Sequence, residues 1–250
     1  MTSLRQTLSE RAVIGTFVKV PRPEIVDLMA LAGFDFVVCD FEHGQMDERD
    51  VLETVRASQG AGLPIVIRVP DMDRGFINRA LEAGAAGIKL ASTVGAAAPA
   101  LADAMRYPPL GSRSLSTIQP SASYGHVPLV EYVERSNAEV LVVGQFETAN
   151  YAEALDEAVA ALDVAFIGPV DLSLDLGTPG DLESTVVKEA IAEVERAAEK
   201  AGTPMGIYAG NAAAARAALD RGYRYVVVSS DLGVLAAGAD QLVAEIRATS

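Results

Sequence analysis

Short apolar runs alternate with longer amphipathic stretches along the whole 250-residue chain. The apolar runs are continuously hydrophobic rather than alternating, a pattern typical of parallel strands that helices cover on the outside. They predict eight strands, over Val13–Val20, Phe34–Asp40, Pro64–Val69, Gly87–Ser92, Glu139–Gln145, Val164–Gly168, Met205–Tyr208 and Tyr223–Ser229. The stretches between and after them predict eight helices, over Pro23–Ala32, Glu48–Gly60, Arg74–Ala83, Ala96–Arg106, Tyr151–Ala161, Glu183–Ala201, Ala212–Arg221 and Leu232–Ala248.

Glycine marks the helix ends in a repeated form, in LAGFD, GAGLP, EAGAAG, KAGTP and DRGYR. A glycine there can take the left-handed conformation that commonly closes a helix. Eight β–α units without a linker predict an α/β fold, the (β/α)8 TIM barrel, with strand order following sequence order. Because no low-complexity segment or shift in composition divides the chain, we expect residues 1–250 to form a single domain.

One connection is much longer than the others and runs from Tyr107 to about Ala138. It contains YPPLGSRS and SASYGHVP, which are rich in Pro, Gly and Ser and indicate a loop. Loops of this length are uncommon in compact domains and often serve as lids or binding loops.

Composition excludes several classes of partner. Lys and Arg total 20 and Asp and Glu total 34, which gives a net charge of −14. A chain this acidic repels nucleic acid and anionic membranes, and no apolar run approaches the roughly 20 residues of a membrane span. Cys39 is the only cysteine, and the N-terminal residues do not resemble a signal peptide, so we expect a cytoplasmic protein.

Polar residues gather where predicted strands end, and in a TIM barrel the active site lies at that end. The candidates end strands two, three, five and six: Asp40, Glu42, His43, Arg68, Gln145, Glu147 and Asp171. Because all eight strand ends surround one mouth, we expect these side chains to converge. We expect Glu42 to face away from its neighbours Asp40, Phe41 and His43, which suits a supporting role as well as a catalytic one.

The types of residue at these strand ends indicate a chemistry. Two carboxylates on neighbouring strands, Glu147 and Asp171, suit a hard cation such as Mg²⁺ or Mn²⁺, which polarises a carbonyl or stabilises an enolate. Arg68 adds positive charge where an oxyanion develops, and His43 is a suitable general base near neutral pH. The backbone N–H groups of the turn 168–171 could hold a carboxylate. The whole set describes enolate chemistry on a 2-oxo acid.

Five motifs lie in order along the chain with compatible spacing: DFEHG, IRVP, RYPPLGSR, GQFET and FIGPVDLS. Together they resemble the HpcH/HpaI aldolase family, over about Gly15 to Arg247. The family consists of metal-dependent class II pyruvate aldolases, of which 4-hydroxy-2-oxoheptanedioate aldolase is the best-known type. The resemblance implies a carbon–carbon lyase that uses Mg²⁺, Mn²⁺ or Co²⁺. Its substrates would be pyruvate or hydroxypyruvate and an aldehyde, joined or released as a 4-hydroxy-2-oxo acid.

The resemblance also implies a role for each matching residue at the mouth. His43 matches the catalytic base, and Arg68 matches the arginine that stabilises the enolate and the developing alkoxide. Glu147 and Asp171 match the metal ligands. Asp40 lies beside the base in the same motif.

Further roles follow from the same resemblance. Gln145 matches a substrate-contacting glutamine, and Val170 and Asp171 would supply backbone contacts to the substrate carboxylate. Glu82, in ALEAGA, stands where some members have an aspartate that raises the basicity of the histidine, a contact that would cross a subunit boundary. The family implies a homo-oligomer, typically a hexamer, whose last helix, here Leu232–Ala248, is exchanged between subunits.

The departures from the family pattern surround the position of the aldehyde. After the fourth strand the chain reads Leu-Ala-Ser-Thr, where the family usually has a sequence like Val-Pro-Met-Val. Ser114 and Ser229 stand where glycine is common. The pocket for pyruvate therefore matches the family, and the pocket for the aldehyde differs.

Three other interpretations remain open. A Schiff-base aldolase would use Lys19 or Lys89, although lysines within strands often lie near the lower rim, and this leaves Glu147 and Asp171 without a role. A related lyase or decarboxylase of 2-oxo acids, or an acyl-CoA lyase of the same superfamily, is the second, although a CoA site normally needs more chain. The third is a barrel that binds a 2-oxo acid without catalysis, which needs neither the base nor the arginine.

Overall fold

The strands form a closed barrel of eight parallel strands, each paired with the next along the chain, and the predicted (β/α)8 fold is confirmed. The computed structural model describes residues 2–248. Its strands are β1 (Val13–Val18), β2 (Phe36–Asp40), β3 (Ile65–Val69), β4 (Gly87–Leu90), β5 (Leu141–Phe146), β6 (Val164–Ile167), β7 (Met205–Ala209) and β8 (Tyr225–Ser230). Its α-helices are α1 (Leu4–Glu10), α2 (Pro23–Leu31), α3 (Glu48–Ala61), α4 (Arg74–Ala83), α5 (Ala97–Met105), α6 (Leu129–Glu139), α7 (Leu155–Ala160), α8 (Pro169–Asp175), α9 (Thr185–Ala201), α10 (Ala212–Asp220) and α11 (Asp231–Ala248).

Both faces of the sheet are buried, which explains why the strands are apolar without alternation. One face fills the inside of the barrel, where Phe17, Val66 and Phe166 belong to one buried cluster. The other face packs against the surrounding helices, where Val37 and Ile67 belong to a second buried cluster. Among the described helices, none combines the length and hydrophobicity that crossing a lipid bilayer requires.

Glycine ends the helices as the repeated pattern predicts. Gly62 follows α3 with φ 67°, and Gly202 follows α9 with φ 70°, both in the left-handed region. Their N–H groups donate to carbonyl oxygens of the preceding turn, those of Gln59 and Ala198 respectively. Other residues are disfavoured in this conformation, so these glycines fix where the chain turns toward the next strand.

Three helices lie outside the predicted set, and two of them are short. α1 precedes the first strand and α8 directly follows β6, and each has 7 residues. α6 lies inside the connection that the sequence predicts as a loop. Tyr132 is the one residue of α6 that is buried, and the Pro-, Gly- and Ser-rich segments that precede α6 indicate a loop rather than a helix.

Other element bounds also differ from the prediction. The predicted helix Tyr151–Ala161 is wrong in its first half, where a 3-10 turn covers Ala149–Ala152 and α7 begins only at Leu155. Ala154 has a left-handed backbone with φ 46°, which separates the two. Glu139 is the last residue of α6 rather than the first of the fifth strand.

The long connection after α5 forms an ordered outer layer beside α4. The hydroxyl groups of Tyr107 and Tyr132, both buried, lie 3.1 Å apart and join its two ends. Arg113 donates from Nε to the amide oxygen of Asn78 on α4 at 3.0 Å. The segment is therefore packed along the barrel wall, unlike the free lid that its composition suggests.

Close packing between neighbouring strands gives a test of the barrel. A methyl group added at Gly87 would overlap the carbonyl oxygen of Leu141 and lie 2.9 Å from its Cβ. We expect Gly87→Ala to lower the free energy of unfolding by about 1–3 kcal/mol, because β4 and β5 would have to separate. Gly60→Ala on α3 is the control, since nothing lies within 4 Å of that position. Urea unfolding that gives both variants wild-type stability would contradict the packing described here.

Candidate active site

A buried ion pair joins the ends of the second and third strands. Asp40 on β2 and Arg68 on β3 are register partners, and both side chains are buried. Arg68 donates from Nε to Oδ1 of Asp40 at 2.9 Å and from Nη2 to Oδ2 at 2.7 Å. This bidentate geometry holds the planar guanidinium in one orientation at the mouth of the barrel, the end where the strands have their carboxyl termini.

Asp40 also holds two further groups at the mouth. Its Oδ1 accepts the backbone N–H of His43 at 3.1 Å, and its Oδ2 lies 3.1 Å from Nζ of Lys19. Burial acts to raise the pKa of Asp40, but the hydrogen bonds and charge of Arg68 outweigh it. With the charge of Lys19 they lower the pKa to about 2. Asp40 therefore stabilises the fold above about pH 4, and this contribution is lost as the pH falls toward the folded-state pKa.

Glu42 connects the arginine to the histidine. Its Oε2 lies 3.2 Å from Nη1 of Arg68 and 3.8 Å from Nε2 of His43. The expectation that Glu42 faces away from Asp40 and His43 is wrong, because residues two apart in an extended strand share a face and the chain turns after β2 ends at Asp40. Burial raises the pKa of Glu42, although the charge of Arg68 opposes this effect.

Glu147 directly follows β5 and is buried on the other part of the mouth. Its Oε1 accepts hydrogen bonds from the backbone N–H of Ser92 at 2.7 Å and from the Ser92 hydroxyl at 3.2 Å. Its Oε2 accepts from the side-chain amide of Gln145. The carboxylate is therefore fixed by β4 on one side and by its own strand on the other.

The residues after β6 complete this part of the site. A methyl group at Gly168 would lie 2.7 Å from Oε2 of Glu147 and 3.1 Å from Nε2 of Gln145. Asp171 lies in the first turn of α8 with an exposed side chain, next to the exposed Val170. Glycine at 168 thus leaves open the space beside Glu147.

The oxygen atoms gathered here fit a hard divalent cation. Two carboxylates, Glu147 and Asp171, follow adjacent strands, and the buried amide oxygen of Gln145 has no hydrogen-bond partner among residues 2–248. Among residues 2–248, no group of three or more His, Cys, Asp or Glu side chains is arranged so that it could hold a metal. A cation bound by two carboxylates would keep positions for water and substrate oxygens, which is how Mg²⁺ is commonly held.

The structure does not bring every predicted residue to the mouth. Glu82 lies near the end of α4, which starts at the mouth and runs back to the opposite end of the barrel, and it accepts a hydrogen bond from Asn78 at 3.2 Å. Its predicted effect on His43 would therefore need a second subunit. Lys19 lies just beyond β1 at the mouth, which corrects the expectation that it belongs to the lower rim.

Sequence reasoning does not predict the roles that Ser92, Lys19 and Gly168 have in this site. Ser92 fixes Glu147, Lys19 pairs with Asp40, and Gly168 leaves space beside Glu147. Each of the three stands within two residues of the end of a barrel strand. That position is the signal that could have found them, because every residue there borders the mouth.

The barrel and this set of side chains define a carbon–carbon lyase of the aldolase class. The family model described as HpcH/HpaI aldolase/citrate lyase matches residues 13–237. The chain belongs to this family, which confirms the resemblance in the sequence and the prediction of an aldolase.

Relatives of known name support the same class. The chain is 33% identical to a hydroxypyruvate/pyruvate aldolase of Rhizorhabdus wittichii, over 99% of this chain and 100% of that protein. It is 34% identical to a 5-keto-4-deoxy-D-glucarate aldolase of Klebsiella pneumoniae, over 92% and 90% of the two chains. The crystal structure of an HpcH/HpaI aldolase from Desulfitobacterium hafniense matches with a TM-score of 0.91 and 30% identity, over 99% and 97% of the chains.

The space beside Glu147 gives a test of the cation site. We expect Gly168→Ala to weaken Mn²⁺ binding by about 10- to 100-fold, because the added methyl group crowds Oε2 of Glu147. Gly210→Ala is the control, since this glycine directly follows β7 and nothing lies within 4 Å of it. Isothermal titration calorimetry measures both affinities. Equal Mn²⁺ affinity in Gly168→Ala and the wild type would show that the cation does not bind beside Glu147.

Proposed function

We propose that the protein is a divalent-metal-dependent class II aldolase that cleaves or forms the C3–C4 bond of 4-hydroxy-2-oxo acids. The supporting observation is the arrangement at the mouth. Glu147 and Asp171 lie at the ends of adjacent strands, and His43, Glu42 and Arg68 form a connected group at the same end of the barrel. A barrel that only bound a 2-oxo acid would need neither a base nor a buried arginine there.

We propose Glu147 and Asp171 as the ligands of Mg²⁺, Mn²⁺ or Co²⁺. When bound, the ion would supply a Lewis acid that polarises the 2-oxo group. Ser92 holds one oxygen of Glu147 by two hydrogen bonds, so the carboxylate is positioned before any cation arrives. This pair has no role in a Schiff-base mechanism, which is why the metal-dependent mechanism is preferred.

Three residues would hold the 2-oxo acid. The N–H groups of the first turn of a helix have no intrahelical acceptor, so those of Val170 and Asp171 are suited to the substrate carboxylate. Gln145 on β5 is buried beside Glu147, and its amide oxygen has no hydrogen-bond partner among residues 2–248. We propose pyruvate or hydroxypyruvate as this substrate, in line with the name of the Rhizorhabdus relative.

His43 and Arg68 would act at the bond that breaks. In cleavage, His43 removes the proton of the 4-hydroxyl group, the C3–C4 bond breaks, and an aldehyde leaves. The electrons of that bond pass to the enolate of pyruvate, which is then protonated at C3. Arg68 stabilises the negative charge that develops on the reacting oxygen. Asp40 is a positioning residue, because it holds both the guanidinium and the backbone of His43.

We also propose a homo-oligomer, with a hexamer as the expected form. α11 is held to the barrel through Asp231, which accepts the N–H groups of Lys19 and Val20. Large apolar side chains along the rest of α11 are exposed: Leu232, Val234, Leu235, Leu242 and Val243. Exchange of this helix with a second subunit would bury them, and a neighbouring subunit could bring Glu82 to His43. We further propose one domain over residues 1–250 and a cytoplasmic location.

A substrate screen tests the proposed reaction. Pyruvate and hydroxypyruvate are each incubated with a set of aldehydes in the presence of Mg²⁺, Mn²⁺ or Co²⁺, and the products are identified by mass spectrometry. We expect 4-hydroxy-2-oxo acids that disappear when EDTA is added. Product formation that continues in EDTA, together with a protein adduct trapped by borohydride, would favour a Schiff-base aldolase. Decarboxylation without aldol products would favour a decarboxylase.

The role of the base gives a sharper prediction. His43→Ala should lower aldol cleavage by about 10²–10⁴-fold, the usual size of a general-base contribution. Decarboxylation of oxaloacetate takes no proton from a 4-hydroxyl group, so it should fall less. His126→Ala is the control, because this second histidine is exposed and bonded to the carbonyl of Ser123. Equal loss of both activities in His43→Ala, with Mn²⁺ binding intact, would show that His43 does not remove that proton.

A further inference from the structure

Lys89 is completely buried inside the barrel, between the two parts of the candidate site. It lies on β4 in register with Arg68 on β3 and with Val143 on β5. Register partners in a parallel sheet share one face, so Lys89 shares the inner face with Arg68. The strands on either side of β4 provide Arg68 on one side and Gln145 with Glu147 on the other.

The amine of Lys89 has no hydrogen-bond partner among residues 2–248. Two aromatic rings face the amine, with Nζ 3.2 Å from the ring centroid of Phe166 and 4.8 Å from that of Phe17. Burying an unpaired amine costs free energy. Contact with two aromatic rings compensates only weakly for the hydrogen bonds to water that the amine loses. The buried amine therefore lowers the stability of the fold if it has no other role.

The charges of the candidate site act on this amine. Burial lowers the pKa of Lys89 well below its usual range, and the positive charge of Arg68 lowers it further. The charges of Glu147 and Asp40 act in the opposite direction. Lys89 therefore belongs electrostatically to the same group as the residues of the mouth.

An unpaired acceptor lies in the neighbouring layer of the barrel. Gln145 and Phe166 are register partners two residues beyond the layer of Lys89, and the amide oxygen of Gln145 also lacks a partner among the described residues. Ala91 continues β4, since its N–H donates to the carbonyl of Val69 at 3.0 Å. It therefore shares the face of Lys89 two residues nearer the mouth, where its side chain is a single methyl group.

We propose that Lys89 is a substrate-binding residue whose amine donates a hydrogen bond to an oxygen of the 2-oxo acid, between Arg68 and Gln145. The inference rests on the proposed aldolase function and adds β4 to the strands that provide substrate contacts. The aliphatic stem spans the packed interior, and the polar end is left without a protein partner for the substrate to satisfy. The contact is non-covalent, since the proposed cation chemistry needs no amine nucleophile.

The substitution Lys89→Met separates this role from a structural one. Methionine keeps a long flexible stem against Phe166 and Phe17 and removes the amine. We expect kcat/KM to fall by about 10- to 100-fold for aldol cleavage and for oxaloacetate decarboxylation alike, because both reactions share the 2-oxo-acid end. The melting temperature should stay the same or rise, because an unpaired buried polar group is lost. Lys188→Met is the control, since that lysine is exposed and paired with Glu183.

The other outcomes overturn the inference in different ways. A melting temperature several degrees lower assigns the amine to the fold. Wild-type kcat/KM and stability in Lys89→Met show that the amine has no role. A mass adduct on Lys89 after pyruvate and borohydride shows a covalent nucleophile in place of the proposed contact. If the wild-type protein neither binds pyruvate nor turns over any 2-oxo acid, the proposed function itself fails. If the wild-type protein is active and Lys89→Met is equally active, only the inference about Lys89 fails.

Discussion

The buried ion pair between Asp40 and Arg68 is the interaction on which the rest of the candidate site depends. A carboxylate inside a barrel is unfavourable unless it is paired and hydrogen-bonded, and Arg68 satisfies both of its oxygens. The same carboxylate fixes the backbone of His43 and the amine of Lys19. Glu42 then reaches both Arg68 and His43 only because the guanidinium is already oriented.

The barrel supplies the second constraint, because it brings two groups of charged residues to one mouth and keeps them on different strands. β2 and β3 end in the group around Arg68, and β5 and β6 end in the carboxylates proposed to hold a cation. β4 lies between them, with Ser92 fixing Glu147 above and Lys89 buried below. We propose that a small 2-oxo acid binds over β4 and contacts both groups, which would place stabilising charge around an enolate.

Much of this arrangement follows from the sequence for one physical reason. Strands buried on both faces are apolar throughout, so a charged residue at the end of such a run, such as Asp40 or Glu147, marks the mouth. Glu42 lies in the turn after β2, where strand alternation no longer decides which way a side chain points. α6 is missed because the Pro-, Gly- and Ser-rich segments before it indicate a loop. Glu82 shows the remaining limit, since the contact with a second subunit that we propose for it would leave no trace in the periodicity of one chain.

A double-mutant cycle on the ion pair tests the central claim most directly. Asp40→Asn and Arg68→Met are each expected to lower the free energy of unfolding by about 3–5 kcal/mol in urea, because each removes the bidentate partner of a buried charge and leaves it only the contact with Glu42 or with Lys19. The loss of unfolding free energy in the double variant should be smaller than the two single losses added together, by up to about 3 kcal/mol. The exposed pair Arg49 and Glu53 is the control and should show almost no coupling. Losses that add within about 0.5 kcal/mol for Asp40 and Arg68 would mean that the pair does not organise the mouth.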